Sequence, residues 1–380
     1  MTTRLSIGKR IIGLFAAALV FSTLTTGVAS AQTPDLDTNQ LESIVTRYGK
    51  KIENSYSGVQ MRFNDKEDQL AQKNGINSTS YKESGLSLKD VSTTTKLIGT
   101  QKTDSGYQVL SEITTKMVLV PEAGTTITIA GENRNHLDSS ATDLHSISIA
   151  LTKGNDADGY TVVGDEIQYP DEQNDETPDM INVPQSVPNS AETRESSDPF
   201  ANRAGLNYIK MSKYAEKWTE DAPGNKMNPD FPIYDEKNGN CANFASQAIY
   251  AGGLKTTFGN SLQIWDDHVW TWNLAGIAKA SHTWSTAQHN YNYMKDSSGA
   301  FTEEDSPWRV GQGGLIYGDW DNDGSFNHVM VVVGYINDGY NSTPVICQKS
   351  APRHDYPFRD SVKNAPKTTR WAGLQWKAEW

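Results

Sequence analysis

Asn238-Gly239-Asn240-Cys241-Ala242-Asn243-Phe244-Ala245-Ser246-Gln247-Ala248-Ile249-Tyr250-Ala251-Gly252-Gly253 is the stretch around which this chain is organised. It opens on turn residues and closes on a glycine pair. Between them Phe244, Ala245, Ala248 and Ile249 recur at helical spacing and give one apolar face. Asn240 suits an N-cap, and Gly252-Gly253 supply the left-handed geometry that stops a helix. Cys241 then stands at the first helical position, where unpaired backbone N–H groups and the helix dipole favour a thiolate. A buried structural cysteine has no need of that position; a nucleophile does.

Working outward, residues 201–218 carry Leu206, Ile209, Met211, Tyr214, Ala215 and Trp218 as an apolar stripe, which predicts a helix before the cysteine. Asn228-Pro229-Asp230-Phe231-Pro232 cannot continue it and reads as a loop. After the cysteine helix, residues 265–294 are expected to be helical in part, with Trp265, Trp270, Trp272 and Trp284 as core or groove wall. Strands are expected over 314–317, 328–335, 345–350 and 374–380.

Upstream, residues 32–168 read as a small α+β domain. Leu41, Ile44, Val45, Tyr48 and Ile52 mark a helix. Runs rich in Thr, Val and Ile over 92–99, 106–120, 125–130, 145–152 and 159–163 mark strands separated by turns. One helix against an antiparallel meander suggests a cystatin-like or NTF2-like module. His136 and His145 read as isolated surface or strand histidines. Residues 169–200 hold five prolines and eight acidic residues against Arg194 alone, the composition of a solvated linker. All ten tryptophans follow it, so the character of the chain changes there.

The first 31 residues read as a signal peptide. Arg4, Lys9 and Arg10 form a basic start, residues 11–24 are mostly apolar, and Ala29-Ser30-Ala31 offers a cleavage site before Gln32. The apolar run is short and rich in Thr and Ser for a spanning helix. A secreted mature chain without a transmembrane segment is the expectation. The net charge of −12 argues against nucleic acid as a partner, because its phosphates would be repelled. Cys241 and Cys347 are the only cysteines, and on composition a disulfide between them stands beside a reduced catalytic thiol.

A thiol amidohydrolase needs an imidazole beside the thiolate and a polar group to orient it. His328 opens the apolar run Val329-Met330-Val331-Val332-Val333-Gly334-Tyr335, so it stands at the mouth of a buried strand. The plainer reading is a strand-end histidine bonded to backbone. Gln348, at the end of the next strand, can accept the ring N–H through its amide oxygen, or be an ordinary strand-end polar residue. A second constellation, Asp319-Trp320-Asp321-Asn322-Asp323-Gly324, has the D-x-D-x-D-G spacing of half a calcium loop. Asn327 could take the ninth position, but Met330 stands where a bidentate Glu is needed. A solvated acidic hairpin is the alternative.

Several of these pieces together carry a resemblance. They are Tyr214-Ala215-x-x-Trp218, Asn228-Pro229-x-Phe231-x-x-Tyr234, Cys241-x-Asn243-Phe244-x-Ser246-Gln247-Ala248 with Ala251-Gly252-Gly253, Trp320-Asp321-x-Asp323-Gly324, Asn327-His328 and Arg353-His354. In this order they resemble the putative amidase domain family of secreted bacterial proteins, which looks like a branch of the papain-like cysteine hydrolases. The resemblance runs from about residue 202 to the C-terminus. It implies an α+β chain: a papain-like domain of helices and antiparallel sheet over 201–380, preceded by the small cystatin/NTF2-like domain. It implies Cys241 as nucleophile, reduced rather than in a disulfide, and His328 as base. It puts Gln348 at the third position, where relatives often carry His, and Asn240 where they often carry Asp. His354 is then the reserve for the orienting role. The implied function is hydrolysis of an amide bond in a peptide or a peptidoglycan stem peptide, with no cofactor required; calcium at Asp319, Asp321 and Asp323 rests on the loop spacing alone. The rival is a non-catalytic secreted or cell-surface binding module on the same fold.

Overall fold

The computed structural model describes residues 35–56, 66–74, 80–151, 159–168, 180–182, 206–220, 227–234, 239–277 and 279–377. The expected signal peptide and most of the expected linker lie outside these. Two units divide the chain, Met1–Leu36 and Asp37–Trp380, and the described helices and strands all lie in the second.

That unit starts with helices α1 (Thr38–Tyr56), α2 (Lys66–Asn74) and α3 (Ser80–Glu83). The long strands β1 (Leu86–Thr103) and β2 (Gly106–Pro121) come after them, then β3 (Thr126–Ile129), β4 (Glu132–Arg134), β5 (Leu137–Leu151) and β6 (Tyr160–Gln168). Leu41, Ile44, Val45, Tyr48 and Ile52 are buried in α1, because their spacing puts all five on one face of the helix. The strands run longer than the sequence pattern marks. Along β1 half-buried and exposed residues alternate, so one face of the strand is wet and its ends carry no apolar signal. His145 is not isolated: its Nδ1 lies 3.0 Å from both oxygens of buried Asp165, which also accepts from Tyr48 Oη at 2.8 Å.

Next come β7 (Met180–Asn182), α4 (Tyr208–Thr219), β8 (Ile233–Tyr234) and α5 (Cys241–Ala251). Short helices α6 (His282–Ser285) and α7 (Ala287–Asn292) lead to β9 (Phe301–Glu304) and β10 (Leu315–Asp319). The chain ends with β11 (His328–Asn337), β12 (Ser342–Gln348), β13 (Arg353–Pro357), α8 (Phe358–Asn364) and β14 (Arg370–Trp376). β7 falls inside the segment read as a linker and pairs with β8. Residues 265–294 are only partly helical, as their interrupted spacing suggests.

One 12-stranded sheet runs through both halves, nine strands in the order β1-β2-β5-β13-β12-β11-β10-β14-β9 and three, β3, β4 and β6, paired off that path. Strands from either side of residues 169–200 meet where β13 pairs with β5, Arg353 opposite Ala141 and His354 opposite Ser140. They meet again where β3 pairs with the outer half of β11. The chain is thus α+β, with helices on a large antiparallel sheet. Gly334 permits the second junction: a Cβ there would lie 2.0 Å from Thr128 O, closer than any side chain can be accommodated. Beside it, a register shift in β11 between Val332 and Gly334 turns the strand away from β10 towards β3. Among the described residues no helix is long and apolar enough to cross a membrane.

Candidate active site

Nine residues in a row, Cys241 to Ile249, are buried in α5, so the helix is a core element rather than an amphipathic surface one. An all-round buried helix needs its polar side chains satisfied, and two hydrogen-bonded ladders do this. On one side Tyr214 Oη donates to Gln247 Oε1 at 2.6 Å, and Gln247 Nε2 donates to Asn243 Oδ1 at 2.9 Å. Trp284 Nε1 also donates to Asn243 Oδ1, at 2.9 Å, and Asn243 Nδ2 donates to Pro232 O at 2.8 Å. On the other side Asn290 Nδ2 and Trp270 Nε1 donate to Ser246 Oγ at 3.0 and 3.1 Å. Tyr317 Oη then donates to Asn290 Oδ1 at 2.8 Å. Much of the polar motif around the cysteine therefore serves to fix this helix.

Asn240 takes the N-cap position, but its side chain does not cap. It bonds Tyr234 instead, accepting from the backbone N at 3.2 Å and donating to the backbone O at 2.9 Å. The first-turn N–H groups of α5 thus receive no capping side chain, and no acidic residue occupies that turn. Such an end favours negative charge beside it. Cys241 is buried there and forms no disulfide. Tyr317 is its neighbour in charge: burial, Tyr291 and Cys241 together raise that phenol far above its ordinary range. Tyr317 carries no signal in the sequence, because a tyrosine in a buried strand looks like core.

His328 begins β11 opposite Gly318 of β10 and is 1 % exposed. The Trp320 ring lies 5.3 Å away, tilted over it. Gln348 ends β12, two residues before the left-handed pair Ser350 and Ala351 (φ 59° and 58°). Its Nε2 donates to Ala351 O at 2.7 Å, which commits the donor end of the amide and leaves Oε1 as the end for other contacts. Burial pushes His328 down to about 4, Gln348 acts in the raising direction, and Arg353 lowers it further. By strict geometry neither ring nitrogen of His328 nor Gln348 Oε1 completes a hydrogen bond. The two side chains are neighbours all the same, since Gln348 acts directly on the imidazole. The structure therefore brings His328 and Gln348 together. It joins the start of α5 to the same place through Asn240 N, which donates to Ser350 Oγ at 2.6 Å.

His354, the reserve for the orienting role, makes its contacts elsewhere. Its Nδ1 lies 2.9 Å from Thr219 Oγ1 in α4, and burial holds the ring down at about 4. It lines a cleft of about 680 Å3 with Glu216 and Asp355. That cleft is not lined by Cys241 or His328. Cys347 lies against Asp355, its Sγ 3.7 Å from Oδ1, and burial pushes Asp355 up to about 7.

Asp319, Asp321 and Asp323 come together, one carboxylate oxygen of each within 4.8 Å of the others. Asp319 is fully buried, and its oxygens accept from Asp323 N at 3.2 Å, Gly324 N at 3.1 Å and Arg370 Nε at 3.1 Å. A third polar group is invisible to motif reading. His282 is buried against the Trp265 ring, with centroids 3.4 Å apart, and His289 Nδ1 sits 2.6 Å from Asp267 Oδ1. The seven-residue separation of the two histidines is the available signal, since it spans two helical turns.

No solved structure matches the chain. Among curated sequences it is similar to "Uncharacterized protein YhbB" of Bacillus subtilis (strain 168), with 26% identity over 185 residues. That alignment covers 48% of this chain and 54% of the relative, so the chain spans about half of the relative's length. The C-terminal part of the chain, residues 205–372, matches the family described as "Putative amidase domain".

Proposed function

We propose that the protein is a secreted, cysteine-dependent amidohydrolase, with Cys241 as nucleophile, His328 as base and Gln348 as the residue that orients the imidazole. One observation carries the reading: the turn after β12 anchors both partners. Ser350 in that turn accepts from the start of the Cys241 helix, and Ala351 holds the Gln348 amide beside His328. The family match supports an amidase-like hydrolase.

In this scheme His328, neutral at ordinary pH because of its burial, takes the Cys241 thiol proton as Sγ attacks the carbonyl carbon. The Cys241 backbone N–H at the helix start stabilises the oxyanion. Collapse of the tetrahedral intermediate breaks the C–N bond, and His328 gives the proton to the leaving amine. Water, deprotonated by His328, then cleaves the thioester and returns the thiol. Cys241 and His328 are both buried, so the side chains around them must part to admit substrate. A papain-like fold for residues 201–380 and a cystatin/NTF2-like fold for 32–168 belong to this reading. So do a cleaved leader over residues 1–31, a linker over 169–200, and a peptide or peptidoglycan stem peptide as substrate. No cofactor takes part; calcium at Asp319, Asp321 and Asp323 would be structural.

Turnover of peptides and cell-wall fragments by purified protein tests the scheme. Cys241→Ala and His328→Ala should each abolish amide cleavage. Cleavage that survives Cys241→Ala refutes it, and fragment binding without any turnover supports the rival reading of a binding module.

A further inference from the structure

The cleft beside β13 is lined by His354 and Asp355, with Cys347 buried against Asp355, and the hydrolytic scheme uses none of the three. Cys347 of β12 and His354 and Asp355 of β13 each offer a ligand atom, all within 4.8 Å of one another. Cys347 Sγ lies 3.7 Å from Asp355 Oδ1, and His354 Nε2 lies 3.9 Å from Asp355 Oδ2. A tetrahedral zinc ion with bonds of about 2.0–2.3 Å would set such ligand pairs roughly 3.3–3.6 Å apart. The two approaches to Asp355 are within a few tenths of an ångström of that spacing, each through a different oxygen of the carboxylate, so a rotation of Asp355 would have to offer one oxygen to both.

The surroundings are arranged as a metal's supporting groups would be. With the Thr219 hydroxyl proton on Ala215 O, 2.8 Å away, Thr219 Oγ1 accepts from His354 Nδ1–H at 2.9 Å. That fixes the tautomer and leaves the Nε2 lone pair facing Asp355. The Asp355 backbone N–H points at Cys347 Sγ at 3.4 Å. Asp355 itself sits at φ +43°, a left-handed conformation that costs a non-glycine residue about 1 kcal/mol or more. On the open side Arg134 bridges Glu216, at 2.5 Å, and Asp355 Oδ2, at 3.8 Å, so a second carboxylate stands next to the triad.

An independent observation points the same way. Ser139 and Ser140 line the cleft at 2 % and 5 % exposure, and neither hydroxyl has a hydrogen-bond partner among the described residues. Ser140 lies directly opposite His354 in the sheet. A buried hydroxyl without a partner costs stability; as consecutive strand residues the two side chains point to opposite faces of the sheet, so one of them is available to a polar ligand or a coordinated water in the cleft.

We propose that Cys347, His354 and Asp355 form a binding site for a borderline-soft divalent cation of the zinc type, with Glu216 as the candidate fourth ligand. The mixed sulfur, nitrogen and oxygen set selects such an ion over calcium or magnesium, which require oxygen donors. Binding replaces the Cys347 thiol proton with the metal and releases that proton to solvent, with no change of oxidation state. Arg134, the cation now beside Asp355, must swing outward.

Cobalt(II) titration of the chelator-treated full-length protein is the test, because a thiolate–cobalt bond gives a near-ultraviolet charge-transfer band. The site predicts a band saturating at a single equivalent, displaced by zinc, retained in Cys241→Ser and lost in Cys347→Ser. His354→Ala, at the cleft wall, should weaken cobalt binding at least tenfold, and it decides the matter if Cys347→Ser does not fold. Absence of the band in the unmodified protein overturns the proposal. So does a band that disappears in Cys241→Ser and survives in Cys347→Ser, or full-affinity binding by His354→Ala.

Discussion

The backbone N–H of Asn240 donates to Ser350 Oγ at 2.6 Å, across 110 residues of sequence. It ties the first residue before the Cys241 helix to the turn that also holds Gln348. Ser350→Ala would leave a buried N–H without a partner, a loss of about 1–3 kcal/mol. The expected outcome is a lower denaturation midpoint together with a fall in amide turnover, since the helix start is then less fixed. An unchanged midpoint would show that the bond does not anchor the helix.

Gln348 is expected to act through position alone. Gln348→Ala should reduce turnover roughly ten- to a thousandfold, less than Cys241→Ala or His328→Ala, because orientation is only part of the catalysis. Gln348→His should retain or raise activity. His354→Ala should leave turnover near normal, since that ring bonds Thr219. A silent Gln348→Ala beside a damaging His354→Ala would reverse the assignment.

The helix carrying Cys241 is legible to the residue: turn, first position, apolar spacing and glycine stop all lie within 16 consecutive letters. The strand starting at His328 is equally plain, because it is apolar over its whole inner length. Asn240 reads as a capping side chain and is not one; its amide finds Tyr234, which only the folded loop brings close. The joining of β5 to β13 and of β3 to β11 leaves no local mark either. Pairing between segments some 200 residues apart is set by packing, not by the periodicity of either strand. The Tyr48–Asp165–His145 group is hidden for the same reason.

Asp360 makes stability fall as pH rises from the acid range towards about 8. Burial pushes its carboxyl up to about 8, with Lys363 and Arg359 opposing. Between the ordinary value of 3.8 and about 8 the unfolded chain is ionised there and the folded chain is not, so stability declines as pH rises through that window. Asp360→Asn should melt at a higher temperature than the unmodified protein, with a difference that grows from about pH 5 to about pH 8. A difference independent of pH would show that the carboxyl ionises normally in the folded chain.

Arg370 Nε contacts Asp319 in the loop of Asp319, Asp321 and Asp323, the place proposed for calcium. If calcium binds, chelator lowers the melting temperature and added calcium restores it. Arg370→Ala should then make that dependence steeper, because Asp319 loses its only guanidinium contact among the described residues. A melt insensitive to chelator in both proteins would leave the arginine-held turn alone.

The most direct test of Cys241 as the nucleophile needs no substrate: iodoacetamide labelling at neutral pH, read by peptide mass mapping at both cysteines. Cys347 is buried beside Asp355, and burial and that carboxylate hold its thiol well above the usual range; Cys241 stands at the uncapped start of a helix, tied to the turn that holds Gln348 beside His328. The account predicts that Cys241 is alkylated much faster than Cys347, and that His328→Ala slows Cys241 alone. Equal slow labelling of both thiols, or a Cys241 rate indifferent to His328, would contradict it.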